Sequence, residues 1–205
     1  MNWLTRLLPF RTRPAPHRSV ASQPADELHR PHFETRYVVL NTRASDVNIA
    51  DARLLSIAAI AVDNGRISPN ASFMCTLDDA PQQALSELVE FVANGPVVVF
   101  NAELNRRLIE RALSEHLGLR PDWLWLDLYW LLPALFGEVF VKPTRLARWM
   151  DALHVATFQR FHALGDAWVL AKLLLAAQSR ARAEGRHTAH SLADLEASLR
   201  EIAIR

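Results

Sequence analysis

The chain has 205 residues and 23.2 kDa, enough for one ordinary domain, and with half its residues hydrophobic and 22% charged it is not an intrinsically disordered protein. The 23 Lys and Arg nearly balance the 22 Asp and Glu, which excludes a strongly cationic nucleic-acid coat protein but leaves room for a local basic groove. The single cysteine, Cys75, excludes a disulfide framework or a Cys-rich zinc site, and no apolar run approaches the roughly 20 residues of a membrane-spanning helix. A reducing cytoplasm is the expected location.

Charge is uneven along the chain: residues 1–40 carry +3, residues 41–100 carry −4 and residues 101–205 carry +2. Residues 1–35 read as a basic, Pro-rich flexible leader, with Pro14, Pro16 and Pro24 among Arg11, Arg13 and Arg18. Its short apolar start, Asn2–Phe10, is interrupted by Arg6 and has the wrong charge order for a secretory signal. A second reading makes Trp3, Leu4, Leu7, Leu8 and Phe10 a short docking or membrane-surface helix.

Tyr37–Leu40 and Leu54–Val62 are apolar, β-branched runs, the second ending at the Asp63-Asn64-Gly65 turn signal, and Ser72–Leu77 reads as a third strand. Three strands with tight connections predict an antiparallel meander. Leu85, Leu88, Val89 and Val92 then recur at helical spacing, ended by Asn94-Gly95-Pro96. Val97–Phe100 has the uniform apolarity of a strand buried on both faces. Leu104–Leu117 reads as a helix closed by Gly118, Trp123–Leu126 as a short strand, and Leu128–Phe136, Thr144–Leu153 and Ala163–Arg182 as helices. The tail, His187–Arg205, predicts one more helix with Leu192, Leu195, Leu199 and Ile202 on one stripe and a capping-box-like Ser191/Asp194 start. Residues 36–183 are therefore expected to form one α/β domain with a mixed sheet, three antiparallel strands followed by parallel ones, flanked by helices.

Three segments, YVVLNTRASDVNIADARLLSIAAIAV (37–62), VVVFNAELNRRL (97–108) and FQRFHALGDAWVLAKL (158–173), resemble in order and spacing the three Exo motifs of the DnaQ-like, or DEDDh, 3′–5′ exonucleases, the RNase H-like family that includes the proofreading epsilon subunit of bacterial DNA polymerase III. The intervening WLWLDLYWLLPALF (123–136) is similar to the stretch family members carry there. The resemblance implies an RNase H-like fold over about residues 36–180. It also implies a set of acids holding two divalent ions that clamp the scissile phosphate, with a His taking a proton from water.

At the positions the resemblance assigns, this chain departs from that set. The first motif's Asp and Glu are Asn41 and Arg43, the second motif's Asp is Asn105, and the third motif's His is Phe161. Asp166 alone is retained, and His162 stands one place off the expected offset. An amide is a weak ligand for a hard cation, a guanidinium repels one, and a phenyl ring accepts no proton. Asp166 is the one metal-ligating candidate left, a weak one, and His162 a substitute base only if its loop adjusts; Asp46, Asp51 and Glu103 lie nearby as stray carboxylates. Leu77-Asp78-Asp79-Ala80-Pro81 also runs almost directly into the next helix, without the substrate-facing loop that the family carries.

The resemblance and its departures together predict a degenerate site, with no cofactor expected and Mg²⁺ or Mn²⁺ only if activity persists. Arg43 could replace a metal as a fixed phosphate partner, with Arg106 and Arg107 extending positive charge along the following helix. The roles left open are a nucleic-acid or nucleotide binder, a protein-interaction module displaying some of Trp123, Trp125, Tyr129, Trp130 and Trp149, and a weak metal-dependent 3′–5′ exonuclease.

Overall fold

The computed structural model describes residues 25–46, 48, 51–157 and 162–204. The Asn2–Phe10 segment, Arg160 and Phe161 lie outside the described residues. Five strands form one sheet: β1 (Tyr37–Ala44), β2 (Leu54–Asp63), β3 (Arg66–Thr76), β4 (Val97–Val99) and β5 (Trp125–Asp127), in the order β3-β2-β1-β4-β5. β1–β2 and β2–β3 are antiparallel, whereas β4 and β5 join parallel to β1. The meander, the switch to parallel pairing and the helices on both faces are the mixed α/β arrangement that the alternating periods predict.

Among the described residues seven α-helices accompany these strands: α1 (Ala25–Leu28), α2 (Pro81–Val92), α3 (Ala102–Leu117), α4 (Leu128–Leu135), α5 (Leu146–Ala152), α6 (Ala163–Ala183) and α7 (Ala189–Ile204). The sheet separates two apolar layers. Tyr37 and Val39 of β1 pack with α4 and α6 on one face, and Val38 and Leu40 pack with α2 and α3 on the other. This is the strand period of two applied to a strand covered on both sides. Trp149 of α5 is fully buried, with Phe140 edge-on at 4.9 Å, and Trp123 is nearly so. These two tryptophans are core.

The structure differs from the expected elements in three places. β3 begins at Arg66 rather than Ser72, because the Asn64-Gly65 turn returns the chain directly onto β2, with Asp63 opposite Arg66. The packed body begins before Tyr37, inside the segment expected to be leader: residues 32–34 form a 3-10 turn, and Pro31 bridges Thr188. α7 falls within the expected tail helix, but its capping pair is not Ser191/Asp194. The reciprocal bonds join Thr188 and Ser191, with the Ser191 amide donating to Thr188 Oγ1 and the Thr188 amide to Ser191 Oγ, both at 3.1 Å.

Candidate functional site

Beyond Leu40 the apolar cover of β1 ends, and Asn41, Thr42 and Arg43 emerge at the carboxyl ends of the parallel strands, where α/β sheets place their ligand sites. Strand alternation sends these side chains to different helices. Asn41 shares the α6 face with Val39, and its Nδ2 donates to Ala163 O at 3.4 Å in the first turn of α6. Thr42 turns to the other face, where its hydroxyl donates to Asn105 Oδ1 of α3 at 2.7 Å. Arg43 returns to the α6 side and is exposed.

Asn105 is buried, and its amide is fully engaged. Nδ2 donates to Phe100 O at 3.0 Å and to Asn101 O at 2.8 Å, while Oδ1 accepts from Thr42. A carboxylate there would turn lone pairs toward two backbone carbonyls. The amide thus ties the start of α3 to the end of β4 and to β1.

Asp166 lies in the first turn of α6, its backbone N–H donating to His162 O at 3.0 Å. The turn that carries Asp166 is therefore the one that Asn41 touches. His162 occupies the N-cap position, and its Nδ1 is buried with no hydrogen-bond partner among the described residues. The α6 N-terminus thus brings Asn41, His162 and Asp166 to one end of β1, with Arg43 two residues further along the strand.

The stray carboxylates are engaged locally. Asp46 Oδ1 accepts from the Asn48 amide at 2.8 Å, Asp51 Oδ2 from Asn48 Nδ2 at 2.6 Å, and Glu103 pairs with Arg107 at 3.2 Å. Among the described residues no group of three or more His, Cys, Asp or Glu side chains is arranged to hold a metal ion. The residues at the resemblance's positions, the amides Asn41 and Asn105, the guanidinium of Arg43 and the single carboxylate of Asp166, do not fit a pair of hard divalent cations.

Arg106 and Arg107 lie on the outer face of α3, away from Asn105. Arg106 pairs with Glu110 at 2.6 Å, and Arg111 donates to Ala52 O. Together with Arg120 they line an open groove of about 590 Å³ that also contains Glu110, Glu115 and Asp122, so its charge is mixed. This groove runs along α3 toward the segment before β5 and is separate from the β1 cleft.

A cluster that no sequence pattern singled out lies beside the cleft. Asp127 ends β5 and is nearly inaccessible, at 2% exposure. Asn101 adopts a left-handed φ of 69°, which Asn tolerates, and the Asn101 and Ala102 amides both donate to the Asp127 carboxylate at 2.8 Å. The Tyr129 amide donates to it at 3.0 Å, so one carboxylate caps α3 and α4 together. From α7, Arg200 reaches Asp127 at 3.0 Å and Glu196 at 2.9 Å, and the Asp127 amide donates to Glu196 Oε2 at 2.7 Å. Burial pushes both carboxyls above the usual range, opposed by these N–H donors and by Arg200. The sequence signals were a lone acid in the apolar run 123–136 and the i, i+4 pair Glu196/Arg200 flanking the α7 stripe.

Strand order, mixed pairing and a cleft at the end of β1 define an RNase H-like exonuclease fold. Solved structures similar to this chain include E. coli exonuclease I in complex with a dT13 oligonucleotide, at TM-score 0.57 and 12% identity over 72% of this chain and 42% of that one. They also include exonuclease X in complex with 5′ overhanging duplex DNA, at 0.57 and 16% over 78% and 99%. A third is a moderately thermophilic exonuclease I from Methylocaldum szegediense, at 0.57 and 15% over 71% and 41%. At these identities the likeness is one of fold, and this chain spans less than half the length of exonuclease I. No protein-family model matches the chain, and no curated protein does. No helix among the described residues is long and apolar enough to cross a membrane.

Proposed function

We propose that this chain is an exonuclease-fold domain that has exchanged two-metal hydrolysis for binding, and that it holds a nucleic-acid or nucleotide phosphate at the β1 cleft without cutting it. The observation that carries this reading is Asn105. Its amide is spent on Phe100 O, Asn101 O and Thr42, a bonding pattern that uses an NH₂ group and that a carboxylate metal ligand would break. Exposed Arg43 supplies a fixed cation where a metal would otherwise meet phosphate, and Asn41 and His162 add neutral polar groups.

A second reading, weak metal-dependent exonuclease activity, draws on one observation. His162 Nδ1, which has no hydrogen-bond partner among the described residues, and Asp166 belong to the same turn of α6, so an imidazole and one carboxylate lie at the same end of that helix.

The test is a dye-labelled, 3′-recessed oligonucleotide, in DNA and RNA versions, with and without Mn²⁺, followed by anisotropy and by gel. Metal-independent, salt-dependent binding of an oligonucleotide that stays intact is expected, weakened roughly tenfold by Arg43→Ala through loss of a charge-assisted hydrogen bond. Shortening that Asp166→Ala abolishes would instead establish the second reading. An intact oligonucleotide that fails to bind would leave the fold as a protein-interaction module.

A further inference from the structure

Four of the eight histidines in this chain meet at one junction remote from the cleft: His29 and His32 in the segment before β1, and His187 and His190 at the α6–α7 corner. Pro31 bridges Thr188, and the His32 amide donates to His187 O at 2.9 Å. The His32 ring is buried behind this contact, with Nδ1 2.6 Å from Tyr37 Oη and Nε2 3.2 Å from Arg186 O. At the rim, His29 stacks on His190 with ring centroids 4.7 Å apart, and His190 Nδ1 lies 3.1 Å from Asp194 Oδ2.

We propose that this junction is an acid-sensitive clasp in which neutral His32 ties residues 29–36 to the α6–α7 corner and whose protonation releases them. The two partners of His32 fix its state. A carbonyl only accepts, so Nε2 carries the hydrogen toward Arg186 O, and Nδ1 of the neutral ring accepts from the Tyr37 hydroxyl. A second ring proton would set donor against donor at 2.6 Å. To answer it the hydroxyl must reverse and find another acceptor inside a core where Tyr37 is fully buried and Gln178 is the polar neighbour.

Among the described residues no acid from a packed element compensates the charge. Arg182 of α6 and His187 of the corner oppose a charge on His32, Arg186 offers only its carbonyl, and Asp194 of α7 is bonded to His190 at the rim.

The direction with pH follows from burial, which lowers the His32 value from 6.5 to about 4. The closed clasp keeps its full advantage above pH 6.5, where the ring is neutral in both states. Below that, the open form takes up a proton that the closed form resists, and the advantage falls until about pH 4. The closed-to-open ratio drops about tenfold per pH unit across this window, up to about 300-fold in all.

Hydrogen–deuterium exchange on the full chain, with intrinsic rates corrected for pH, tests the clasp between pH 7.5 and 5. Peptides over residues 29–36 and 186–194 are expected to lose protection together while β2, residues 54–63, keeps it. In His32→Gln, which keeps polar atoms in the ring's place and does not titrate, both peptides should exchange at rates independent of pH over this range. Unchanged protection of the wild-type junction at pH 5, loss in step with β2, or the same acid response in His32→Gln overturns the proposal. If His32→Gln does not fold, the order of loss in the wild type decides by itself.

Discussion

The backbone amide of Asp127 donates to the side chain of Glu196, 69 positions further along the chain, at 2.7 Å. Through that bond and the Arg200 fork, the last helix holds the end of the strand whose carboxylate caps α3, the helix that carries Asn105. The cleft and the C-terminal helix are thus one mechanical unit.

Removing the shared carboxylate should be among the most damaging single changes in the chain. Asp127→Ala strands three backbone donors and leaves the Arg200 guanidinium with Glu196 alone, and we expect a loss of about 3–5 kcal/mol in urea denaturation. Combined with Arg200→Ala, the loss should be smaller than the sum of the two single losses, because each single variant already removes the Asp127–Arg200 bond. Strict additivity would show that the two side chains act independently.

The pH dependence of the same cluster has a definite sign. Glu196 holds its proton more tightly folded than unfolded, because burial raises it, so its contribution to stability is present below the ordinary glutamate value and is lost as pH rises through the folded one. Glu196→Gln keeps an acceptor for the Asp127 amide and does not titrate. The stability of the wild type relative to this variant should therefore decline from pH 4 to pH 7. A difference that grows with pH would mean that Arg200 and the Asp127 amide outweigh burial.

Restoring a carboxylate at position 105 should cost stability. Asn105→Asp replaces a donor to Phe100 O and Asn101 O by a buried acceptor, and we expect a loss of about 2–4 kcal/mol, unrelieved by Mn²⁺ while Asn41 and Arg43 remain. Denaturant midpoints with and without Mn²⁺ measure it. Stabilisation by the metal would mean that a cation site persists.

Gly95 offers a test of packing far from any charge. A Cβ added there would lie 2.6 Å from Arg36 O, a backbone atom held at the start of β1 and unable to swing away. Gly95→Ala should cost about 1–3 kcal/mol by thermal unfolding. A cost below a few tenths of a kcal/mol would mean that the turn between α2 and β4 can move.

Much of the scaffold was legible because its signals are local. Tyr37–Leu40 and Val97–Val99 are apolar at every position and are buried on both faces, and the 3.6-residue period gave way to helices where Leu85–Val92 predicted one. The departures at Asn41, Arg43 and Asn105 could be read by position, but not what the amides do, since the partners of Asn105 come from β1, β4 and its own turn. The tail helix fell within its expected range, but its capping pair was misassigned, because Ser191 and Asp194 imitate a capping box whereas Thr188 and Ser191 make the bonds. Asp127 lies 69 positions before Glu196 and 73 before Arg200, and no periodicity carries such a pairing. His32 escaped notice for the same reason: its partner carbonyl belongs to Arg186.

The two margins of the sheet face different hazards. β5 is overlaid by α7, whereas β3, eleven residues long, has among the described residues a strand neighbour on one side only, β2. A bare strand of that length is a template for association with other chains. Pro69 in β3 lacks an amide hydrogen, and the pairing with β2 slips between Ile60 and Val62, so the ladder that an incoming strand would copy is broken mid-way. A proline far from the cleft thus guards this margin, and replacing it with valine would supply the missing donor.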